Sequence, residues 1–342
     1  MLIRKILAML VLVTLAGSAC TNRTSTAGGA GSGKEQVVRV YTSRHYGIEP
    51  VFDAFTNDTG IRVEFTTGGD AELRERLQAE GDNTPADVFM TVDAANLYLA
   101  AQSGLLAETS STVLNFAVPE NLRDPQGRWY GLSLRIRAIA YAPDRVSPSE
   151  LSTYEALADP KWKKRLCLRP ATHPYTVSLV AGMIAADGPE ETERVVRGWV
   201  SNEPVYINSD VELLKNVAAG RCDLTLANSY YLARQINDDP SFPVKMFWPN
   251  QDGRGAHVNI SGAGVTRAAK NPEGARRLIE WLAIRGQRQF ADANFEFPAN
   301  PAVPPAPILA SWGEFKKDPL WVGELGRLQP EAVKILDKAG YL

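Results

Sequence analysis

The sequence predicts an α/β protein of two lobes with mixed, mainly parallel sheets. Strand-like and helix-like segments alternate along most of the chain, which is the pattern of parallel sheets covered by helices. The length of 342 residues exceeds what one small domain needs and suits two lobes. A hydrophobic fraction of 44% excludes collagen-like and largely disordered chains, and 39 acidic against 37 basic residues disfavours a nucleic-acid binder.

The first residues predict an export signal. Arg4 and Lys5 precede an apolar run over residues 6–16, which is too short for a comfortable membrane span. We therefore expect residues 1–19 to be a signal peptide, with an anchor helix as the less favoured alternative. Removing this segment takes the formal charge from −2 to −4, because it holds two basic and no acidic residues.

Cys20 stands where bacterial lipoproteins carry their lipidated cysteine. Residues 20–35 are polar and rich in glycine, and we expect them to tether the exported protein to the membrane through Cys20. Gly17 occupies the position where lipoproteins usually have leucine, so cleavage by the ordinary signal peptidase stays open. The predicted location is the periplasm or cell envelope.

Six alternating elements are predicted in the first part of the exported chain. Apolar residues at Ile48, Val51, Phe52 and Phe55 recur at helical spacing, and Asp70 is placed as the cap of the next helix. The predicted strands are residues 37–42, 61–65 and 86–91, and the third helix is residues 94–103.

The second part repeats the alternation in a less regular way. Ser209 and Glu212 form a capping box for a helix ending near Ala219, and Asn271 caps a long helix that is expected to run to about Phe290. Further predicted helices cover residues 188–199 and start near residue 230; the predicted strands are residues 138–141, 165–168, 223–227, 244–248 and 257–265, the last returning through a Gly-rich turn.

This arrangement predicts a discontinuous first lobe, because the chain crosses between the lobes more than once. We expect the first lobe to comprise residues 36–133 and 258–310, and the second lobe residues 134–257. Residues 311–342 follow a Pro-rich stretch and are expected to form two short helices packed on the lobes.

Three predicted strands end in tyrosine-bearing segments. These segments are residues 43–46, 172–175 and 228–231, and two of them also carry histidine. Since ligands of open α/β sheets gather at the carboxyl ends of strands, we expect the three segments to meet in one cleft. A single tyrosine is more often a core residue, but four tyrosines at three strand exits favour a binding site.

Several phenol oxygens with an imidazole favour a hard, highly charged cation. A free tyrosine ionises near pH ~10, so phenolate ligands at neutral pH require a strong cation such as ferric iron. Zinc prefers Cys or His, and calcium and magnesium prefer carboxylates. These strand exits offer no cluster of cysteines or carboxylates.

At these motifs the sequence resembles the bacterial ferric-iron-binding proteins, the solute receptors of ABC iron importers, and most of all their anion-independent cyanobacterial branch. The resemblance spans nearly the whole exported chain. It rests on the order and spacing of YTSRHY (residues 41–46), GLSLRIRAIAY (131–141), the Tyr175 segment, NSYYLAR (228–234), HVNISGAGV (257–265) and NFEFPANP (294–301).

The resemblance implies the two-lobed periplasmic-binding-protein (type II) fold with hinge strands, and no enzymatic activity. It implies a monomer that carries Fe3+, with Fe2+ as an alternative cargo, to an inner-membrane ABC permease. The implied iron ligands are His45, Tyr46, Tyr175, Tyr230 and Tyr231.

Four further residues are expected to support the ligands without binding iron: Arg44, Arg135, Arg137 and His173. A positive group there would offset the charge of several tyrosinates. For Arg137 a surface ion pair is the equal alternative. His173 stands where relatives often have a serine–asparagine pair, and a hydrogen-bonded neighbour is favoured over a ligand.

Two other functions remain as alternatives. A receptor for an oxyanion or a small organic acid would use Arg135, Arg137 and the helix start near residues 68–70, but would leave the tyrosine pair without a role. A periplasmic enzyme is disfavoured because the sequence lacks a G-x-S-x-G elbow, an H-E-x-x-H motif and a catalytic Cys/His spacing.

The odd cysteine count is explained if Cys20 is the lipid anchor and the other two form a pair. Export implies an oxidising compartment, and Cys167 and Cys222 each lie eight residues ahead of a candidate ligand. We expect a disulfide between them on adjacent strands, with two independent buried thiols as the alternative.

Overall fold

The computed structural model describes residues 36–342. The signal peptide, the lipidation site at Cys20 and the tether lie outside the described residues. No helix within residues 36–342 is both long and apolar enough to cross a membrane.

Ten strands and thirteen α-helices are found in the described part of the chain. The strands are β1 (Val37–Thr42), β2 (Arg62–Thr67), β3 (Val88–Thr91), β4 (Tyr130–Tyr141), β5 (Leu166–Leu168), β6 (Val205–Tyr206), β7 (Leu224–Asn228), β8 (Lys245–Phe247), β9 (Val258–Val265) and β10 (Phe297–Pro298). The helices are α1 (Glu49–Thr59), α2 (Asp70–Glu80), α3 (Ala94–Gln102), α4 (Thr112–Ala117), α5 (Pro174–Asp187), α6 (Pro189–Ser201), α7 (Asp210–Ala218), α8 (Ser229–Asp238), α9 (Pro272–Ala283), α10 (Gln287–Asp292), α11 (Pro307–Ala310), α12 (Gly323–Arg327) and α13 (Gln329–Lys338).

The strands form two parallel blocks joined by an antiparallel pair, in the order β2-β1-β3-β9-β4-β7-β5-β6. β1 is parallel to β2 and β3, and β5 is parallel to β6 and β7. β9 and β4 lie antiparallel between the blocks, and β8 and β10 also pair with β4. The predicted α/β class with mixed, mainly parallel sheets is therefore confirmed.

β4 links the two blocks through its two neighbours. Its first part pairs with β9 as far as Ile136, and its second part pairs with β7 from Arg137 onward. A β-bulge between Gly131 and Ser133 shifts the register of its pairing with β9. All twelve residues of β4 are buried, including two arginines, so this strand carries charge into the middle of the protein.

Helices cover the sheet with the faces that the apolar spacing predicts. In α1 and its cap, Ile48, Val51, Phe52 and Phe55 are buried, and the Phe55 ring lies edge-on to Trp281 of α9. Each such side chain contributes about 1.5–3 kcal/mol to the free energy of unfolding when it is fully buried. The apolar spacing therefore predicts both the helix and its packed face correctly.

The prediction of one long helix from Asn271 to about Phe290 is wrong, because two separate helices are found there. Asn271 caps α9 by accepting a hydrogen bond from the Gly274 amide, but α9 ends at Ala283 and α10 begins at Gln287. At Gly286 a Cβ would lie 2.0 Å from the Trp281 ring. The chain therefore turns there, with the indole packed against a residue that has no side chain.

The Gly-rich turn expected within residues 257–265 is also wrong, because β9 is one continuous strand of eight residues. A Cβ at Gly262 would lie 2.6 Å from the Tyr130 carbonyl oxygen, and one at Gly264 would lie 2.3 Å from the Arg128 carbonyl oxygen. These glycines allow close approach of neighbouring backbone and do not reverse the chain.

Asp70 does not cap its own helix. Gly69 is the N-cap of α2, and Asp70 is its first helical residue. Its carboxylate instead accepts hydrogen bonds from the Ser43 hydroxyl and from the Val92 amide at 3.1 Å. Asp70 thus joins the ends of β1 and β3.

Candidate metal centre

Three strand–helix junctions carry the tyrosines and histidines singled out above. β1 leads into residues 43–46, β5 leads through a short loop into α5, and β7 passes directly into α8. Tyr175 is the second residue of α5, whereas Tyr230 and Tyr231 are the second and third residues of α8. All three phenols therefore lie in the first turn of a helix, at the carboxyl ends of parallel strands.

The three tyrosines of α5 and α8 lie together. The hydroxyl oxygens of Tyr175 and Tyr230 are 3.1 Å apart, and the rings of Tyr230 and Tyr231 have centroids 4.2 Å apart. Tyr230 is buried, and the other two are partly exposed. We call Tyr175, Tyr230 and Tyr231 the tyrosine cluster.

Arg135 of β4 donates to the tyrosine cluster. Its Nη1 lies 2.9 Å from the Tyr175 hydroxyl and 3.3 Å from the Tyr230 hydroxyl, and its guanidinium lies 4.8 Å from the Tyr230 ring centroid. The side chain is buried. A fixed cation therefore borders the phenol oxygens, where it would stabilise phenolate.

A buried carboxylate holds Arg135 in place. Glu296 accepts from Arg135 Nη2 at 3.0 Å and from Arg44 Nη1 at 2.6 Å, and it also accepts from the hydroxyl of Ser133. Burial acts to raise the pKa of Glu296, but the two arginines and its hydrogen bonds outweigh burial and lower the pKa to about 2. Arg44, itself 1% exposed, lies directly before His45. Glu296 thus joins the base of the β1 exit to the tyrosine cluster.

Arg137 takes part in a different buried group. Its Nη1 lies 2.5 Å from Asp210 Oδ1 and 3.3 Å from Asn228 Oδ1, and its guanidinium lies 5.7 Å from the Tyr175 ring centroid. It is buried, so the alternative of a surface ion pair is wrong. Arg137 therefore lies next to the tyrosine cluster, beside the ring of Tyr175.

His173 serves as the N-cap of α5. Its Nδ1 accepts a hydrogen bond from the Tyr175 amide at 3.2 Å, and its ring centroid lies 4.4 Å from that of Tyr175. Burial and the neighbouring Arg169 lower its pKa to about 3, so the ring is neutral at neutral pH. This geometry matches the expected hydrogen-bonded neighbour of a ligand.

His45 and Tyr46 form the exposed part of the site, which we call the β1 arm. Their ring centroids are 4.1 Å apart, and 39% of the Tyr46 side chain is exposed. His45 Nδ1 lies 3.1 Å from the Ser43 carbonyl oxygen; as a donor there it leaves Nε2 with a free lone pair. The Arg234 guanidinium of α8 lies 4.3 Å from the Tyr46 ring centroid, so the arm reaches the helix that carries the tyrosine pair.

A cleft of about 640 Å³ opens beside these groups. His45 and Tyr175, from different blocks of the sheet, both line it. Asp70, at a helix start that the sequence pointed to only for anion binding, also lines the cleft, and its pKa is raised to about 6 by burial and by the charge of Asp93. The available signal was the TTGGD segment, since it marks a fourth strand exit after β2.

The electrostatics of the tyrosine cluster favour neutral phenols in the absence of a cation. Burial raises the pKa of Tyr230 and of Tyr231 well above the ordinary value, and the neighbouring phenols act in the same direction. A cation that binds these oxygens must therefore displace protons, as a strongly charged metal ion can. Within residues 36–342, no group of three or more His, Cys, Asp or Glu side chains is arranged to hold a metal ion.

A disulfide joins Cys167 and Cys222, whose Cα atoms are 5.7 Å apart. Cys167 lies on β5, but Cys222 lies two residues before β7, so the expectation that both lie on strands is half wrong. β5 and β7 are neighbours, and each leads to part of the tyrosine cluster. The bond therefore ties together the two strands that present the phenols.

The family model described as "Bacterial extracellular solute-binding protein" matches residues 51–317. The chain is 43% identical to "Iron uptake protein A1" of Synechocystis sp. over 320 residues, which cover 90% of this chain and 88% of that protein. Among solved structures, the chain is similar to Trichodesmium FutA (IdiA) in complex with iron and citrate ligands, with 42% identity and a TM-score of 0.86 over 90% of this chain and 100% of that chain. It is also similar to apo FutA2 from Synechocystis PCC6803, with 41% identity and a TM-score of 0.84 over 90% of this chain and 100% of that chain.

Proposed function

The chain belongs to the bacterial extracellular solute-binding proteins, and we propose that it is a periplasmic receptor for ferric iron. It would deliver Fe3+ to an ABC-type iron import permease in the inner membrane. Relatives with more than 40% identity over nine tenths of the chain are named iron uptake proteins, and one related structure holds iron with citrate. These names support the cargo, and the site geometry supports the mode of binding.

The observation that carries this proposal is the tyrosine cluster on Arg135. Two phenol oxygens 3.1 Å apart accept from one buried guanidinium, which suits a site designed to become anionic. Phenolate oxygens are hard ligands that fit a trivalent cation. A core packing role would not require two tyrosine hydroxyls to meet at a buried arginine.

We assign five ligands to the iron: His45, Tyr46, Tyr175, Tyr230 and Tyr231. In this assignment the tyrosine cluster supplies three phenolates, and the β1 arm supplies a fourth together with the free Nε2 of His45. Arg135 and Arg44 stay paired with Glu296 and offset part of the negative charge.

Iron binding in this assignment closes the cleft. The β1 arm belongs to the proposed first lobe (residues 36–133 and 258–310), and the tyrosine cluster belongs to the proposed second lobe (residues 134–257). An ion that is bound by both lobes stabilises the closed arrangement, because it binds to that arrangement more tightly than to the open one. Asn259 of β9 contacts both proposed lobes in the described structure, because its Nδ2 donates to Asp93 Oδ1 at 2.7 Å and to Ser178 Oγ at 2.9 Å.

The receptor would act at the membrane surface as a monomer. Lipidation at Cys20 would tether it within reach of the permease, with residues 20–35 as the tether. The observation that supports this arrangement is the Gly-rich, polar composition of the segment between the signal and β1.

An oxyanion receptor built on Arg135 and Arg137 is less well supported. Each arginine is buried and already paired with a carboxylate, Arg135 with Glu296 and Arg137 with Asp210. Neither guanidinium is therefore a free donor for an anion in the described structure.

The test is metal analysis and a visible spectrum of residues 21–342 purified without added chelator. We expect about one ferric ion per chain and a tyrosinate-to-iron charge-transfer band. Acidification should abolish both, because protons compete for the phenols. Protein that contains no iron and develops no band on titration with ferric citrate would exclude the proposed function. A parallel titration with citrate alone distinguishes an anion receptor.

A further inference from the structure

Asp210 is a buried carboxylate placed between two buried arginines. It is the first residue of α7, follows the capping Ser209, and is 2% exposed. Arg137 and Arg169, which flank it, are also buried. The capping-box reading of this segment accounts for Ser209 and Glu212 but gives no role to the acid between them.

The two oxygens of Asp210 reach three different segments of the chain. Oδ1 accepts from Arg137 Nη1 of β4 at 2.5 Å and from the Asn228 amide at 3.3 Å. Oδ2 lies 3.3 Å from Arg169 Nε, which follows β5. These partners are 18 to 73 positions away from Asp210 in the sequence, so one side chain fixes contacts that no local element provides.

Two of those segments lead directly to the tyrosine cluster. Asn228 is the N-cap of α8, two residues ahead of Tyr230. Arg169 begins the loop to Tyr175, and the Thr176 hydroxyl donates back to the Arg169 carbonyl oxygen at 3.4 Å. Asp210 therefore holds the base of the Tyr175 segment and the base of the Tyr230–Tyr231 segment at the same time.

Charge alone would make Asp210 unfavourable in this place. It lies close enough to raise the pKa of both Tyr230 and Tyr231, which opposes phenolate formation. Its two arginine partners outnumber it, so the group as a whole carries one positive charge. The negative charge of Asp210 thus disfavours ionisation of the neighbouring tyrosines, and any favourable effect of Asp210 on iron binding must come from its contacts.

We propose that Asp210 is a positioning residue for iron binding, which sets the Tyr175 segment against the Tyr230–Tyr231 segment so that their phenols converge. This inference rests on the proposed function, since it concerns the same cargo. It assigns to Asp210 an effect on the ligands through the backbone and the arginines, without contact with the ion.

The test compares Asp210→Ala, Asp210→Asn and the control Glu212→Gln, an exposed acid on the same helix. Affinity for Fe3+ is measured by competition with citrate, together with the charge-transfer maximum and the pH of half-release. We expect Asp210→Ala to lose about 10- to 100-fold in affinity and to shift the band. Asp210→Asn retains the oxygen that accepts from Arg137 and Asn228, so it should recover most of the affinity and release iron at lower pH than Asp210→Ala. Glu212→Gln should match the parent.

A folded Asp210→Ala protein with parental affinity, band and release pH would overturn the inference. An Asp210→Asn protein that binds iron as weakly as Asp210→Ala would also overturn the inference, because the contacts kept by the amide oxygen would then have no effect on affinity. If Asp210→Ala does not fold, Arg169→Met replaces it. This change removes the ion pair between Asp210 and the Tyr175 segment, together with one positive charge near Tyr175 and Tyr231, and parental affinity and band there would overturn the inference. Failure of the parent itself to bind iron would instead refute the proposed function.

Discussion

Tyr230 is almost completely buried, whereas Tyr46, its proposed partner on the other side of the iron, keeps 39% of its side chain exposed. The tyrosine cluster is held by a disulfide, by Arg135 and by the Asp210 group. The β1 arm has a buried base at Arg44, but its two outer rings contact mainly each other and Arg234.

This difference suggests a division of work between the two sides. The tyrosine cluster is fixed by these contacts, so we expect little conformational entropy to be lost when a cation binds there. The β1 arm is more exposed, and its rings make fewer contacts with the rest of the protein. We therefore expect the cluster to provide most of the affinity, and the arm to complete the shell as the cleft closes.

The largest effect is expected for Tyr230→Phe combined with Tyr231→Phe. Since loss of a residue that merely supports a ligand costs about 10- to 100-fold in metal affinity, loss of two ligands should weaken Fe3+ binding by more than about 10⁴-fold. The charge-transfer band should nearly vanish, as measured by visible titration. The matched control is Tyr98→Phe, a tyrosine outside the site; a double variant that binds iron like this control would show that the assignment is wrong.

The next largest effect is expected when the disulfide is removed. This change should destabilise the side of the protein that carries the tyrosine cluster. Cys167 and Cys222 are separated by 55 positions, and closing a loop of that length stabilises a protein by about 4 kcal/mol in the chain-entropy model. We expect the Cys167→Ser, Cys222→Ser protein to unfold at lower urea concentration. The same shift should appear when the parent is reduced; equal midpoints for parent and variant would mean that the bond does not brace this side.

Glu296 links the two sides and makes stability depend on pH. Its pKa is lowered in the folded protein from an ordinary 4.5 to about 2, so its contribution is complete above pH 4.5 and is lost as the pH falls toward 2. This lowering of the pKa corresponds to a contribution of about 3 kcal/mol to the free energy of unfolding.

The measurement is urea unfolding of the iron-free parent and of Glu296→Gln across this range. The difference between their free energies of unfolding should shrink as the pH is lowered. A difference that stays constant from pH 5 to pH 2.5 would mean that the ion pairs with Arg44 and Arg135 do not stabilise the fold.

The smallest effects are expected in the β1 arm. His45→Ala should weaken Fe3+ binding by about tenfold, or about 1.4 kcal/mol, because a single exposed ligand is lost. The free energy of unfolding of the iron-free protein should change by less than about 0.5 kcal/mol, since the side chain is exposed. If His45→Ala weakens binding as much as the loss of Tyr230 and Tyr231, the proposed division between arm and cluster is wrong.

The strand exits could be predicted because their signals are local. A short apolar run followed by polar residues marks a strand and its end, and the tyrosines at residues 46, 175, 230 and 231 stand out there. α5 was missed for the opposite reason: nine of its fourteen residues are buried, so it shows no alternation between a polar and an apolar face.

The supporting charges could not be assigned from the sequence. Glu296 lies 161 positions from Arg135 and 252 from Arg44, and Asp210 lies 73 positions from Arg137. A single sequence does not indicate which acid meets which base over such separations. The resemblance supplied candidate arginines, but their carboxylate partners emerge only from the fold.

The bulge in β4 determines which face of the sheet carries charge. Successive residues of a strand point to opposite faces, and the register of β4 shifts between Gly131 and Ser133. Ser133 and Arg135 both reach Glu296, so they share a face. The extra residue at Leu132 lets Gly131 and Ser133 pair with the adjacent residues Gly262 and Ser261 of β9, so the alternation of faces is offset by one residue between the two sides of the bulge. A single-residue deletion in the regular part of β4, at Leu134, would therefore be far more harmful than most substitutions, because it would place Ser133 and Arg135 on opposite faces of the strand.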